Sequence, residues 1–325
     1  MKFAWLCSHE SYQPEALVEQ AVAAEAAGFD AVFASDHFHP WVDDASAAGF
    51  VWSWFGAVAA RTSRVELATS VTTPLFHYHP ALIAQAAATV DRLSNGRFRL
   101  GVGTGENINE GPLGFTFPGY KERSERLSEA LEIMHRLLAG EKVTFDGAHY
   151  HTDRARLYSP PIGQVPIWMA AGGEKSARMA GREADGLIVS VKAPAEVRAT
   201  ILGPFHAAGG TDKTVVATRW CVYAGDDDEA WTALASMRGL RAPGRLEAVD
   251  PMDLRVRADE MPRQEILGKY ALASDADALV ETYRPLVEEV GADYVSVQVA
   301  SLAPLETIAL IGREVLPRLR AMRPS

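Results

Sequence analysis

A (β/α)8 barrel, the TIM-barrel form of the α/β class, with insertions after strands four and seven, is the fold the sequence predicts, on three observations. Short, nearly continuous apolar runs alternate with Ala-rich helical patterns along the whole chain, as in a parallel sheet covered by helices on its faces. The alternation recurs eight times, the number that closes a barrel of this kind. The 325 residues, 48% of them hydrophobic, can fill one large core, so residues 1–325 read as a single domain. A doubly wound open sheet is the competing architecture.

The first strand, KFAWLCS, leads into PEALVEQAVAAEAAG, a helix with Pro at its start and Gly at its end. FDAVFAS precedes a loop and WFGAVAARTS; VELATSV precedes PALIAQAAATVDRLSNG; RFRLGVGTG precedes YKERSERLSEALEIMHRLLAG. The later units are VPIWMAAGG with EKSARMAGREA, DGLIVSV with PAEVRATILGPFHAAGG, TVVATRWCVYAG with a long helical region, and ADYVSVQVA with PLETIALIGREVLPRLRAM. Two stretches break the rhythm. Residues 141–164 read as a hairpin with Asp146-Gly147 near its turn. Residues 232–272, of mixed charge, read as a helical and irregular lid or interface rather than a separate domain.

A formal net charge of −10 argues against a nucleic-acid or anionic-membrane surface, so an anionic ligand needs a local group of cations. Cys7 and Cys221 lack a paired spacing and read as reduced core thiols of a cytoplasmic protein. The apolar run in MKFAWLCSHE is too short for a signal sequence, and no segment approaches the ~18 apolar residues of a membrane span.

In a barrel, reactive groups follow the C-terminal ends of the strands, and the informative residues fall there. Glu10 follows strand one, SDHFHPW (Ser35 to Trp41) strand two, Ser70 to Pro74 strand three, and GTGEN strand four; AAGG follows five and Lys192 follows six. Two chemistries compete for these positions. His37 with His39 and His77 with His79 could be metal-ligand pairs, but strands five and eight end in WMAAGG and VQVAS without a further ligand. No metal is therefore expected, and His77 and His79 read as loop residues fixing the helix that starts at Pro80. The other chemistry is a pocket for a flat organic ring. There the glycines of GTGEN let backbone amides approach a ligand, and AAGGEKSA offers a helix N-terminus to an anion.

The motifs SDHF-x-PW, TSV-x-TP, GVGTGE-x-x-NE and AAGG, in this order and spacing, resemble those of the F420-dependent glucose-6-phosphate dehydrogenases within the luciferase-like superfamily. The likeness runs nearly end to end and is weakest at about 205–265. It implies an oxidoreductase using the deazaflavin coenzyme F420, a homodimer, and a small-molecule substrate, a phosphorylated sugar. Carried over, Asp36 would contact the deazaflavin, with His37 and Trp41 beside its ring, and Ser70-Val71 would be a non-proline cis peptide against its other face. Thr73, Gly103, Thr104, Glu106 and Asn109 match further cofactor or active-site positions. Ala170, Ala171, Gly172 and Gly173 match the segment that holds the coenzyme's phosphate tail.

Oxidising a hydroxyl carbon needs a base for its proton and an acceptor for its hydride. Histidine suits the first role, so His37 is the candidate base and Glu106 the acid or charge partner near the ring, with the two roles exchangeable. Trp41 would pack the substrate or stabilise developing charge, and Glu10 would orient a hydroxyl. The resemblance implies that Lys192, Arg245 and Lys269 bind a substrate phosphate, with Lys and Arg exchanged at two of the positions. Three other functions compete: an F420-dependent oxidoreductase of a different alcohol or carbonyl, an FMN-dependent luciferase-like monooxygenase, and a metal-dependent hydrolase.

Overall fold

In the computed structural model, which describes residues 1–322, the predicted units take the expected order. The strands are β1 (Lys2–Cys7), β2 (Ala31–Ala34), β3 (Glu66–Thr69), β4 (Phe98–Val102), β5 (Val143–Asp146), β6 (His151–Ala155), β7 (Ile167–Ala170), β8 (Gly186–Ser190), β9 (Thr214–Tyr223), β10 (Ala271–Ala273) and β11 (Tyr294–Ala300). The main sheet runs β11-β1-β2-β3-β4-β7-β8-β9, and β9 also pairs with β11, closing the barrel. Every pairing within it is parallel. Helices such as Pro14–Ala26, Pro80–Leu93 and Tyr120–Leu138 cover it outside. Each buries one apolar stripe; in Tyr120–Leu138 the stripe is Leu127, Ala130, Leu131, Met134 and Leu137.

The barrel interior is packed with side chains. Ala4, Leu6, Phe33, Trp168, Ile188 and Tyr294 belong to one buried cluster within it. Where the strands begin, the polar groups are matched: Lys2 Nζ and Arg99 Nη2 lie 2.9 and 2.8 Å from Glu66, and the Tyr294 hydroxyl donates to Glu66 Oε2 at 2.6 Å. This end is sealed and structural, so chemistry is left to the other.

The first insertion is the antiparallel hairpin β5–β6. Its turn is held by Glu129, whose carboxylate accepts the N–H groups of Ala148, His149 and Tyr150 at 2.8, 3.0 and 3.0 Å. From the hairpin, the Tyr150 hydroxyl donates to the carbonyls of Pro74 and Leu75 in the loop after β3.

The second insertion starts earlier than its sequence suggests. Asp226 caps a helix, Asp227–Ala233, by accepting from the N–H groups of Asp228 and Glu229 at 3.0 and 2.9 Å, so the acidic run GDDDEA begins a helix directly after β9. A 3-10 turn at Arg238–Arg241 and helices Pro251–Asp259 and Arg263–Leu267 follow. The three-residue β10 then extends the edge of β9, too short to show a pattern in the sequence. Leu234, Met237, Leu254, Ile266 and Tyr270 form a small core of their own, joined to the barrel through Trp41 and Ile108. Arg238 ties the insertion down by pairing with Asp44 at 2.9 Å and Asp259 at 2.8 Å. The backbone of Gly239 passes so close to Trp41 that a Cβ there would lie 2.1 Å from the Trp41 carbonyl oxygen. Among the described residues no helix is long and apolar enough to cross a membrane.

Candidate active site

The strand C-termini open into a cavity of about 460 Å³, roofed on one side by the second insertion. Of the residues singled out in the sequence, Glu10, Asp36, His37, Trp41, Ser70 and Val71 line it, as do Thr73, Gly103, Thr104, Glu106 and Asn109. Ala170, Ala171, Gly172 and Arg245 complete the set. Gly173 lies just outside, as the residue preceding helix Glu174–Glu183. The Ser70-Val71 peptide is cis.

At the centre stands His37. Its Nδ1 is 3.0 Å from the carbonyl oxygen of His39, which can only accept, so this nitrogen carries a proton. The other nitrogen, Nε2, faces Glu10 Oε1 at 3.3 Å and Glu106 Oε2 at 3.9 Å. An imidazolium formed there meets two carboxylates. The ring packs edge-on against Trp41, centroids 4.8 Å apart. Glu10 is almost fully buried, and its Oε2 accepts from Ser8 at 3.0 Å and from Ser35. Burial pushes its carboxyl upward, but His37, Ser35 and Ser8 together outweigh it, and Glu10 ends below the ordinary glutamate range. The sequence reading gave Glu10 a substrate hydroxyl; in the structure its Oε1 also faces His37 Nε2.

Asp36 behaves oppositely. Burial raises its carboxyl above the usual aspartate range, against the hydrogen bond from Thr72 Oγ1 at 2.5 Å and the charges of His77 and His37. The Tyr78 hydroxyl is also bonded to Asp36 and is pushed up by burial and by that neighbour. The loop after β4 is fixed from two sides. Asn109 Oδ1 accepts the N–H of Phe38 at 2.9 Å, and Arg123 donates to the carbonyl of Gly105 at 3.1 Å while its guanidinium lies 4.1 Å over the Phe117 ring. In β4 itself, a Cβ on Gly101 would lie 2.0 Å from the Thr69 carbonyl oxygen, so only glycine lets β3 and β4 approach this closely.

The histidines that could have paired on a metal are used otherwise. His77 Nδ1 is 2.7 Å from the fully buried Glu110, and His79 caps the helix at Pro80 by accepting the N–H of Ala81 at 3.2 Å. His39 Nδ1 meets the carbonyl of Val249 in the second insertion at 3.1 Å. Among the described residues no group of three or more His, Cys, Asp or Glu side chains is arranged to hold a metal ion.

A second cavity of about 370 Å³ adjoins the first and shares Leu240, Arg241, Arg245 and Leu246 with it. Lys192, Arg245 and Lys269, far apart in sequence, meet on its wall, joined by Arg241. Lys192 is held below the ordinary lysine range by burial and by the like charges of Arg241, Arg245 and Lys269. Arg245 also reaches back to form an ion pair with Glu106 and lies 5.7 Å over the Trp41 ring.

Residues 1–294 match the family described as luciferase-like monooxygenase. The F420-dependent glucose-6-phosphate dehydrogenase of Nakamurella multipartita is 39% identical, over 99% of this chain and 97% of that protein. The Nocardia farcinica protein of the same name is 38% identical over 99% of each chain. Among solved structures, an F420-dependent secondary alcohol dehydrogenase in complex with an F420-acetone adduct superposes with a TM-score of 0.91 at 30% identity, covering 98% of this chain and 99% of that one. The chain belongs to the F420-dependent glucose-6-phosphate dehydrogenase family of the luciferase-like superfamily.

Within this family frame, several residues that line the cavity or hold its side chains escaped the sequence reading. Ser8 and Ser35 hold Glu10, Thr72 and Tyr78 hold Asp36, and Arg241 joins the cations. Thr218 and Gln298 point into the cavity from β9 and β11. A signal for the last two existed: each is a polar side chain inside a mostly apolar strand that ends at the mouth, though not the one polar residue of its strand. Arg241 gave none, because the irregular stretch GLRAPGR carries no period from which to place a side chain.

Proposed function

We propose that the protein oxidises the hydroxyl carbon of a sugar phosphate of the glucose-6-phosphate class, with coenzyme F420 as acceptor. The observation that carries this reading is the cation-lined pocket adjoining the cavity at His37 and sharing part of its wall. A phosphate in the one would leave the attached sugar beside the other.

The residues present suit the coenzyme. A Cβ on Gly172 or Gly173 would meet nothing, so bare backbone stands at the N-terminus of helix Glu174–Glu183, a setting that favours an anionic tail. Asp36, Ser70, Val71 and Thr73 would hold the ring on one side of the cavity, and Gly103, Thr104 and Asn109 would complete its slot. F420 supplies a two-electron hydride acceptor. The chain supplies the proton chemistry: His37 Nε2 accepts the proton of the substrate hydroxyl, and Glu10 orients the ring and faces the charge that results. Glu106, within 3.9 Å of Nε2, supplies the second carboxylate, as acid or charge partner. Trp41 closes one side of His37 and limits water around it.

The test is a panel of phosphorylated and free alcohols incubated with oxidised F420, followed by loss of its visible absorbance. Glucose 6-phosphate or a close relative should be consumed far faster than the free sugars; failure of every phosphorylated sugar would sink the reading. The likeness to the F420-dependent secondary alcohol dehydrogenase supports a second reading, which the same panel would reveal as preference for a small secondary alcohol. A cytoplasmic homodimer completes the proposal. It is supported by the resemblance and by two buried, unpaired cysteines, Cys7 and Cys221, and is open to sedimentation analysis.

A further inference from the structure

The cations of the second cavity divide when sorted by their partners. Arg245 is ion-paired with Glu106, and Lys269 Nζ lies 3.2 Å from Glu265. Among the described residues, Lys192 and Arg241 pair with no carboxylate. Arg241 is nevertheless held in place. Its guanidinium lies 5.0 Å from the centre of the Tyr270 ring, and Tyr270 is buried, its hydroxyl donating to the Met237 carbonyl at 2.9 Å. The Nε of Arg241 is buried without a hydrogen-bond partner, and the side chain lines both cavities. Lys192 stands beyond the end of β8, on the rigid frame of the barrel. Two like charges kept close, partly desolvated and without an acid are costly unless an anion completes them.

We propose that Arg241 and Lys192 form the anion-binding pair of the substrate site, and that Arg245 is a positioning residue that fixes Glu106 beside His37. The proposal rests on the reading above that the substrate carries a phosphate. It reassigns the principal guanidinium from Arg245, which the sequence singles out, to Arg241, which it does not. A planar guanidinium held over an aromatic ring can present its remaining N–H donors as a fork, suited to two phosphate oxygens at once. Arg245 has its charge already engaged by a carboxylate of the reaction centre, so its loss would be felt in turnover rather than in phosphate affinity.

The experiment compares Arg241→Met with Arg245→Met and Arg245→Lys, each first shown to bind F420 by quenching of tryptophan fluorescence. Arg241→Met should raise KM for the phosphorylated sugar about 10- to 100-fold, the worth of a lost charge-assisted hydrogen bond, with kcat changed less than about threefold. Inhibition by inorganic phosphate should weaken by the same factor. Arg245→Met should lower kcat at least about tenfold on both sugars, leave phosphate inhibition within about threefold, and be partly restored in Arg245→Lys. The reverse assignment, with phosphate lost in Arg245→Met and kept in Arg241→Met, overturns the proposal, as does failure of the wild-type protein to bind phosphate. Should no phosphorylated sugar be oxidised at all, calorimetric titration of the F420-loaded protein with inorganic phosphate still decides it. Binding that is lost in Arg241→Met and kept in Arg245→Met upholds the pair while the substrate reading falls.

Discussion

The two walls of the cavity are built by opposite means. The wall formed by the ends of β1 to β4 and β7 is backbone brought close together: Gly101 against Thr69, the cis Ser70-Val71 peptide, and carboxylates whose oxygens are taken up by serine, threonine and tyrosine hydroxyls. The facing wall comes from the second insertion together with Lys192 beyond the end of β8, and is made of long cationic side chains on short helices, turns and a strand-end loop. One wall is satisfied internally and shaped like a slot; the other keeps Lys192 and Arg241 unpaired beside open volume. A preformed slot suits a coenzyme that is the same in every turnover. Cations on an insertion suit the part of the ligand that distinguishes one substrate from another.

The largest effect should fall where the walls meet. His37→Ala should lower kcat by about 100-fold or more, the range for a lost general base, with F420 affinity changed only a few-fold in fluorescence titration. Loss of both together would place His37 in the slot rather than between the walls.

Gly101→Ala and Gly239→Ala introduce nearly the same clash, 2.0 and 2.1 Å from a carbonyl oxygen, on different walls. Within the sheet, Gly101→Ala should cost about 1–3 kcal/mol of stability and weaken F420 binding. In Gly239→Ala the insertion can shift away from Trp41, so KM for the phosphorylated substrate should rise while the melting temperature moves less. Equal loss of stability in the two variants would mean that the insertion is as rigid as the barrel.

A smaller effect is expected from pH. Because burial and like charge lower the pKa of Lys192 from 10.5, KM for a phosphorylated substrate should climb at an alkaline pH below the ordinary lysine range, while KM for the free sugar stays flat. Stability should run the other way. Between the lowered folded value and the unfolded one the unfolded chain binds more protons, so the Lys192 contribution rises with pH across that window. Lys192→Arg should remove the rise in KM, and its persistence would assign the titration to another group. The smallest change belongs to His39, partly exposed and joined to the insertion by one contact at 3.1 Å. His39→Ala should alter KM by less than about threefold.

The contrast between the walls also explains what the sequence made legible. Barrel strands are buried on both faces and announce themselves as apolar runs, so Asp36, Ser70, Gly103 and Ala170 could be placed by counting to the strand ends. The hairpin was readable from Asp146-Gly147. The insertion's place after strand seven was readable as well, but its path was not, because its helices are four to nine residues long and several of its contacts to the barrel run through backbone carbonyls such as those of Leu246 and Val249, which any sequence supplies. Arg245 could be picked out by resemblance, but its engagement with Glu106, and the presence of Arg241 beside it, depend on a turn at Pro243-Gly244 whose path no pattern encodes.

Glu129 shows how far from the cavity its shape is decided. This carboxylate, on the outer helix Tyr120–Leu138, grips three successive amides of the hairpin turn, and from that turn Tyr150 reaches the carbonyls of Pro74 and Leu75, just beyond the cis peptide. The chain of contacts works as a tie-rod, with an anchor on the rim and a tension point at the slot. Anyone transplanting the loop after β3 into another barrel would therefore have to carry over the hairpin and its glutamate anchor as one cassette, since the loop alone would arrive without the strut that sets its curvature.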